Sequence, residues 1–172
     1  YVIRHESRDA AKASWKAFVS DPAWKKVARE SQVEGKILAQ RPDSVYMIET
    51  DYSPAWKNGK AQKDDVFELR IYKAAEGKRG KLDARFRDHT IRIFEKHGMK
   101  SVSYWHPVDE PDSKDTLIYI IKHENRAAAK KSWKDFLADP EWKKAAKASG
   151  VGRLAKPPAA TYMKPTDYSA IR

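Results

Sequence analysis

The chain has 172 residues, enough for a packed core in one or two domains, and its 41% apolar and 34% charged content excludes a disordered or fibrous protein. Lysine and arginine outnumber aspartate and glutamate 35 to 24, a net charge of +11, which favours anionic partners. No cysteine is present, which excludes disulfides, thiolate nucleophiles and cysteine metal sites, and no apolar run approaches the roughly 20 residues of a membrane helix.

Tyr1 to His5 is β-branched and aromatic and reads as a short strand. Ser7 follows as an N-cap, its hydroxyl able to accept from the first free amides of a helix whose inner stripe is Ala11, Trp15, Phe18 and Val19. Asp21-Pro22 starts a second helix, with aspartate as cap and proline at the first helical position, and Trp24 and Ala28 inside. Ser44 to Thr50 reads as another strand, closed by Asp51-Tyr52-Ser53-Pro54. Residues 55–64 are polar, contain one Asn-Gly pair and read as a short linker. Val66 to Tyr72 alternates, with Phe67, Leu69 and Ile71 on one face, expected against the helices, and Glu68, Arg70 and Tyr72 on the other. A helix follows, with Leu82, Phe86, Ile93 and Phe94 inward and His89 and His97 near the same stripe, and Gly98 stops it. Ser101 to Pro107 is the next strand, with Ser101, Ser103 and Trp105 on one side and Val102, Tyr104 and His106 on the other. An acidic turn leads to a strand at Thr116 to His123. Then Asn125 caps a helix with Ala129, Trp133, Phe136 and Leu137 inward, Asp139-Pro140 starts another carrying Trp142, Gly150 ends it, and Thr161 to Thr166 is the last strand.

Residues 1–33 recur at 119–151 with roughly 20 identical positions, the mark of one structural unit used twice. Tyr1 matches Tyr119 in the middle of the second unit, so the chain is expected to start inside its first unit, with about 50 residues of that repeat preceding it. The expected division is the C-terminal, strand-helix-strand half of a first domain over 1–54, the linker over 55–64 and a complete domain over 65–172. The complete unit runs strand, helix, strand, strand, helix, strand, the split βαβ pattern: an α+β, ferredoxin-like fold with an antiparallel four-stranded sheet and both helices on one face. The other sheet face needs a partner. Such units packed as a dimeric α/β barrel satisfy it, and self-association, by domain pairing or as a homodimer, is the expected partnership.

The run FELRIYKAAEGKRGKLDARFRDHTIRIFEKHGM, the aromatic pair Tyr104-Trp105, ADPEWKK and the closing TDYS resemble the NIPSNAP family over nearly the whole chain. Its most specific parts are Leu69-Arg70-Ile71-Tyr72, Tyr104-Trp105 and Asp139-Pro140-x-Trp142. Ser103 departs from the family pattern, which places glycine before the aromatic pair, and so loosens any tight backbone approach there. The resemblance implies a dimeric α/β-barrel domain, often in tandem, without an agreed catalytic activity.

Candidate chemistry is sparse. His5, His89, His97, His106 and His123 show neither HxxxH nor HExxH spacing, so no metal site is expected. His123 and its counterpart His5 each end a strand and precede a glutamate, a pair able to transfer a proton or simply to anchor the helix entry. Arg70 needs an anion or a carboxylate, and Glu68 on the same face can supply it; otherwise the site fits an anionic small molecule. The candidate pocket is therefore Arg70, Tyr72, Tyr104, Trp105, His106 and His123. Glycine-rich phosphate loops, nucleophile elbows and paired carboxylates are absent, and no cofactor is expected. Nucleic acid is a weaker partner, because no block of roughly five like charges occurs and the lysines alternate with acids as on a solvated helix. The reading reached is a non-catalytic binding or interaction protein with a basic surface. The alternative is a small-molecule enzyme of the dimeric α/β-barrel type, akin to cofactor-independent monooxygenases or haem-handling proteins, which requires Arg70, Tyr72, Tyr104 and His123 to converge on one cavity.

Overall fold

A computed structural model describes residues 1–55 and 61–171, so most of the expected linker, residues 56–60, lies outside the described residues. The chain divides into two compact units, Tyr1–Tyr46 and Met47–Arg172.

The first unit is a helix pair, α1 (Arg8–Ser20) and α2 (Pro22–Glu30). Both starts are capped as their sequences dictate. Ser7 Oγ accepts from Ala10 N at 3.1 Å, and Asp21 Oδ1 accepts from Ala23 N and Trp24 N at 2.7 and 3.1 Å. Trp15 packs edge-on to Phe18 and Phe18 lies against Trp24, with centroids 5.7 and 4.4 Å apart. Tyr1 to His5 forms no strand, contrary to expectation: a strand needs a pairing neighbour, and among the described residues none lies alongside it. Val19, expected inside, is exposed, as is its counterpart Leu137.

In the second unit the strands are β1 (Met47–Glu49), β2 (Val66–Lys73), β3 (Lys100–Pro107), β4 (Thr116–His123) and β5 (Ala159–Met163), in the antiparallel order β1-β3-β4-β2-β5. Without β1 this is the ferredoxin-like sheet the element order predicts. Only three residues of the segment expected to be a strand over 44–50 pair, Met47–Glu49, and they join β3 with Ile48 opposite His106.

Helix α3 (Arg79–Arg85) continues through a π-helical turn (Phe86–Thr90) into α4 (Ile91–Lys96), and α5 (Arg126–Ala138) and α6 (Pro140–Ala148) follow β4. The core between helices and sheet is aromatic: Tyr72, Tyr104 and Tyr119 from the strands meet Phe86, Phe94 and Phe136 from the helices. Asn125 and Asp139 cap α5 and α6. Asp139 Oδ2 also accepts from Lys96 Nζ at 2.8 Å and meets His97 Nε2 at 2.7 Å, so one buried carboxylate fastens the α5–α6 corner to α4. Those two bonds, Lys96 first, hold its acidity well beyond the usual carboxylate range. His89 stands in solvent instead of sharing this stripe, because the π turn widens the helix by one residue and rotates it outward.

Two expectations about sheet faces are reversed. Core residues Tyr72, Tyr119 and Tyr104 fix the helix-covered face, and with a period of two Glu68 and Arg70 lie on that face too. Phe67, Leu69 and Ile71, expected against the helices, share the opposite face with Ile118 and Ile120. On β3 a bulge between Ser101 and Ser103 breaks the alternation and brings Ser101 to the side of Tyr104, where its Oγ lies 2.7 Å from the Tyr104 hydroxyl.

The recurring helix pair supplies a controlled comparison. Phe136 contacts Trp142 with the same 4.4 Å centroid separation as Phe18 and Trp24, yet Phe136 is 2% exposed and Phe18 is 42% exposed. Phe136→Ala is expected to lower unfolding free energy by about 3–5 kcal/mol, and Phe18→Ala by under about 1 kcal/mol. Urea denaturation of both variants checks the difference; equal losses would contradict this assignment of the core.

Candidate functional site

The carboxylate of Glu68, fully buried beneath α5, gathers a dense polar cluster. Register places His123 opposite Val66, diagonally across from Glu68 on the same face, and α5 starts immediately after β4, so Trp133 hangs back over the sheet. Glu68 Oε2 accepts from Trp133 Nε1–H at 2.7 Å and faces His123 Nε2 at 2.9 Å, while Oε1 accepts from Arg70 Nη1 at 3.0 Å. Because the carboxylate is the acceptor, the proton on His123 belongs on Nε2, leaving Nδ1 without a hydrogen-bond partner. Burial opposes the charged carboxylate, but the bonds from His123, Trp133 and Arg70 outweigh it and hold Glu68 below the usual glutamate range. Arg70 donates from Nη2 to the Tyr72 hydroxyl at 3.2 Å and stacks over the Trp133 ring at 4.5 Å. The Glu68–Arg70 pairing expected from their spacing is present; no anion is required to neutralise Arg70.

A second cluster joins the segment after β1 to α3. Asp83 Oδ1 accepts from the Tyr52 hydroxyl at 2.7 Å and lies 3.1 Å from His106 Nε2, while His106 Nδ1 is 2.9 Å from the Thr116 carbonyl. Both ring nitrogens face acceptors. Burial disfavours the imidazolium, yet the Asp83 bond prevails and His106 titrates above its ordinary value. Around this anchor the whole tetrapeptide Thr50–Ser53 is seated. Thr50 N donates to Tyr104 O, Arg87 grips Asp51 with two bonds of 2.9 and 2.7 Å, and Tyr52 stacks on Phe86. Ser53 Oγ meets Ser103 Oγ at 2.8 Å and accepts from Tyr104 N. Ser103, the departure from the glycine of the family pattern, thus contributes its hydroxyl to this seat.

The six residues singled out from sequence therefore fall in different places. Arg70, its hydrogen-bonded neighbour Tyr72 and His123 belong to the Glu68 cluster, and His106 belongs to the Asp83 cluster. Tyr104 is in the aromatic core, Trp105 lies buried on the opposite sheet face, and Tyr72 lines a cavity of about 180 Å³ between sheet and helices. Sequence reasoning missed Asp83, Arg85 and Trp133. The first two sit on a helix that reads as solvated, and Trp133 reads as simple core; only the unusual density of arginine beside aromatics signals them. No group of three or more histidines and acids among the described residues is placed to hold a metal ion, and no described helix is long and apolar enough to cross a membrane.

Glu68→Gln is expected to lower stability at neutral pH by about 3–5 kcal/mol, since Arg70 would lose its buried counter-charge. Because the folded-state acidity of Glu68 is strengthened, its contribution is full above the ordinary glutamate value and lost as pH falls below it. Wild-type denaturation midpoints should therefore drop steeply on acidification and those of Glu68→Gln less so; parallel profiles would refute the assignment. His106 acts in the opposite sense: its contribution is present below the ordinary histidine value and fades as pH rises through the elevated one. Replacing the titratable imidazole by a neutral ring, His106→Phe, should flatten the stability loss on the alkaline side of neutrality, measured in the same titration.

The NIPSNAP family model matches residues 67–170. Among solved structures, an uncharacterised NIPSNAP-like domain protein from Burkholderia xenovorans superposes with a TM-score of 0.54 at 17% identity, covering 63% of this chain and 90% of that one. A NIPSNAP family protein with unknown function from Agrobacterium tumefaciens gives 0.55 at 17% identity, covering 66% of this chain and 99% of its own. A further family protein from the same organism gives 0.55 at 19% identity, with 63% and 99% covered. At these identities the likeness is one of fold, and no curated protein matches the sequence. With a family match over more than half of its length and the ferredoxin-like sheet that these structures share, the chain belongs to the NIPSNAP family.

Proposed function

We propose that this protein works by association, as a non-catalytic module that pairs with NIPSNAP-like domains, including further copies of itself. The observation that carries this reading is a tetrapeptide present twice. Thr50-Asp51-Tyr52-Ser53 is seated on Asp83, Arg87, Ser103 and Tyr104, as described above. The identical Thr166-Asp167-Tyr168-Ser169 leaves Tyr168 82% exposed. Both copies form the same turn, Ser53 N to Thr50 O at 3.1 Å and Ser169 N to Thr166 O at 3.0 Å. The second copy thus already has the turn of the seated one and lacks only a surface to receive Tyr168. Preorganisation of this kind reduces the ordering cost of docking.

Two further features support the reading. The sheet face away from the helices carries Leu69, Ile71 and Ile120 beside the buried Phe67, Ile118 and Trp105, and with Ile71 38% exposed it offers an apolar row suited to a second sheet. The enzyme alternative needs four polar side chains around one cavity, whereas Arg70 and His123 are consumed by Glu68 and Tyr104 is core. Some of the lysines sit in helix-surface and loop ion pairs such as Lys12–Asp9, Lys26–Glu30, Lys114–Glu110 and Lys131–Asp135, which favours a solvated face over a nucleic-acid track.

Sedimentation of the intact chain tests the proposal. Tyr52→Ala loosens the seated copy and frees its surface, so self-association should tighten by at least about tenfold, the equivalent of 1.4 kcal/mol. Adding Tyr168→Ala should abolish that gain. A monomer at all concentrations in both variants would overturn the reading.

A further inference from the structure

Arg85 presents a physical anomaly. It is 7% exposed, its Nε has no hydrogen-bond partner, and among the described residues no carboxylate pairs with it. It stands over the face of Trp142, 5.0 Å from the guanidinium carbon. Burial accordingly pulls Arg85 below the ordinary arginine value, against weaker opposing influences of Tyr72 and Tyr119. Arg70, which stacks on Tyr72 and Trp133 and whose Nε is likewise without a partner, differs in having the Glu68 carboxylate.

What Arg85 faces is space. It lines the cavity of about 180 Å³ together with Tyr72, Thr90, Phe94, Phe136 and Trp142. Gly152, exposed on the loop after α6, is also part of its lining. The π-helical turn creates this arrangement: inserting one residue per turn swings Phe86 and Thr90 to the cavity wall directly after Arg85. Thr90 Oγ1 is itself occupied, donating to the Arg85 carbonyl at 3.0 Å. The Tyr72 hydroxyl accepts from Arg70 and keeps one proton to donate.

We infer that this cavity binds a small organic carboxylate with a flat apolar body, its carboxylate on the Arg85 guanidinium and its body among Phe94, Phe136 and Trp142. Size, charge and wall chemistry agree on that class. An apolar protein cavity of about 150 Å³ accommodates benzene, so this one takes a ring-sized body and not a nucleotide or lipid. A guanidinium fork matches a carboxylate with two parallel donors, and aromatic walls offer nothing to solvate a second negative charge. The site shares Phe86 with the tetrapeptide seat but does not depend on the association reading.

The test uses benzoate on the intact chain, with benzamide as the neutral body of the same shape and acetate as the charge without the body. At about one hundred times its dissociation constant, benzoate should raise the melting temperature by roughly 5–10 °C. Benzamide and acetate at equal concentration should leave it essentially unchanged. Arg85→Met should lose the benzoate response at least tenfold in dissociation constant while melting no lower than wild type when unliganded, because it removes an uncompensated cation. In wild-type protein the Arg85 guanidinium ¹⁵Nε resonance should shift on titration with benzoate. The inference fails if benzoate leaves wild-type melting and that resonance unmoved, if it stabilises Arg85→Met equally, or if the unliganded variant melts well below wild type.

Discussion

A carboxylate with no access to water must find all its donors within the protein, and Glu68 imposes that condition on three elements at once. It fixes β4 through His123, its own strand through Arg70, and α5 through the indole of Trp133. The last tie has the widest reach. With the Trp133 N–H aimed into the sheet, the rotation of α5 is set, and Phe136 one turn later is directed into the aromatic core. The corner at Asp139 then carries that orientation into α6 and back to α4 through Lys96 and His97. The walls around Arg85 therefore inherit their positions from an ion-pair network elsewhere in the layer.

Local structure was legible in the sequence wherever one residue type has one physical role. Ser7, Asp21, Asn125 and Asp139 cap helices as their hydroxyls, carboxylates and amide require, Gly98 and Gly150 adopt left-handed backbone at helix ends, and the strand-helix order yields the sheet topology. Sheet faces were not legible. Glu68, Arg70 and Tyr72 read as the face away from the helices because burial is ordinarily apolar, and the tertiary partners Trp133 and His123 make a charged row tolerable beneath them. The bulge after Ser101 likewise leaves no mark in a Ser-Val-Ser run. The π turn is invisible too, since FRDHT carries neither glycine nor proline.

Of the site residues, the pairing of Arg70 with Glu68 could be read from spacing alone, since two residues of one strand separated by one share a face. Arg85 could not be. It lies among surface-type residues, RGKLDARFRDHT, and what distinguishes it from Arg87 two positions later is a change in helical pitch. Arg87 reaches outward to grip Asp51, whereas Arg85 turns inward without an acid. Two arginines on one helix thus serve an external and an internal purpose.

The three-residue strand β1 has one more consequence. A sheet with a bare margin can recruit strands indefinitely, which is how ordered aggregates grow. Here Met47–Glu49 occupies the β3 margin, and the opposite margin is the five-residue β5, with Pro157-Pro158 before it and Pro165 after it. Proline cannot donate to a growing ladder, so strand recruitment stalls within a few residues at that side. The molecule can therefore be rich in β-branched and aromatic strand residues without offering a long free edge to a growing ladder.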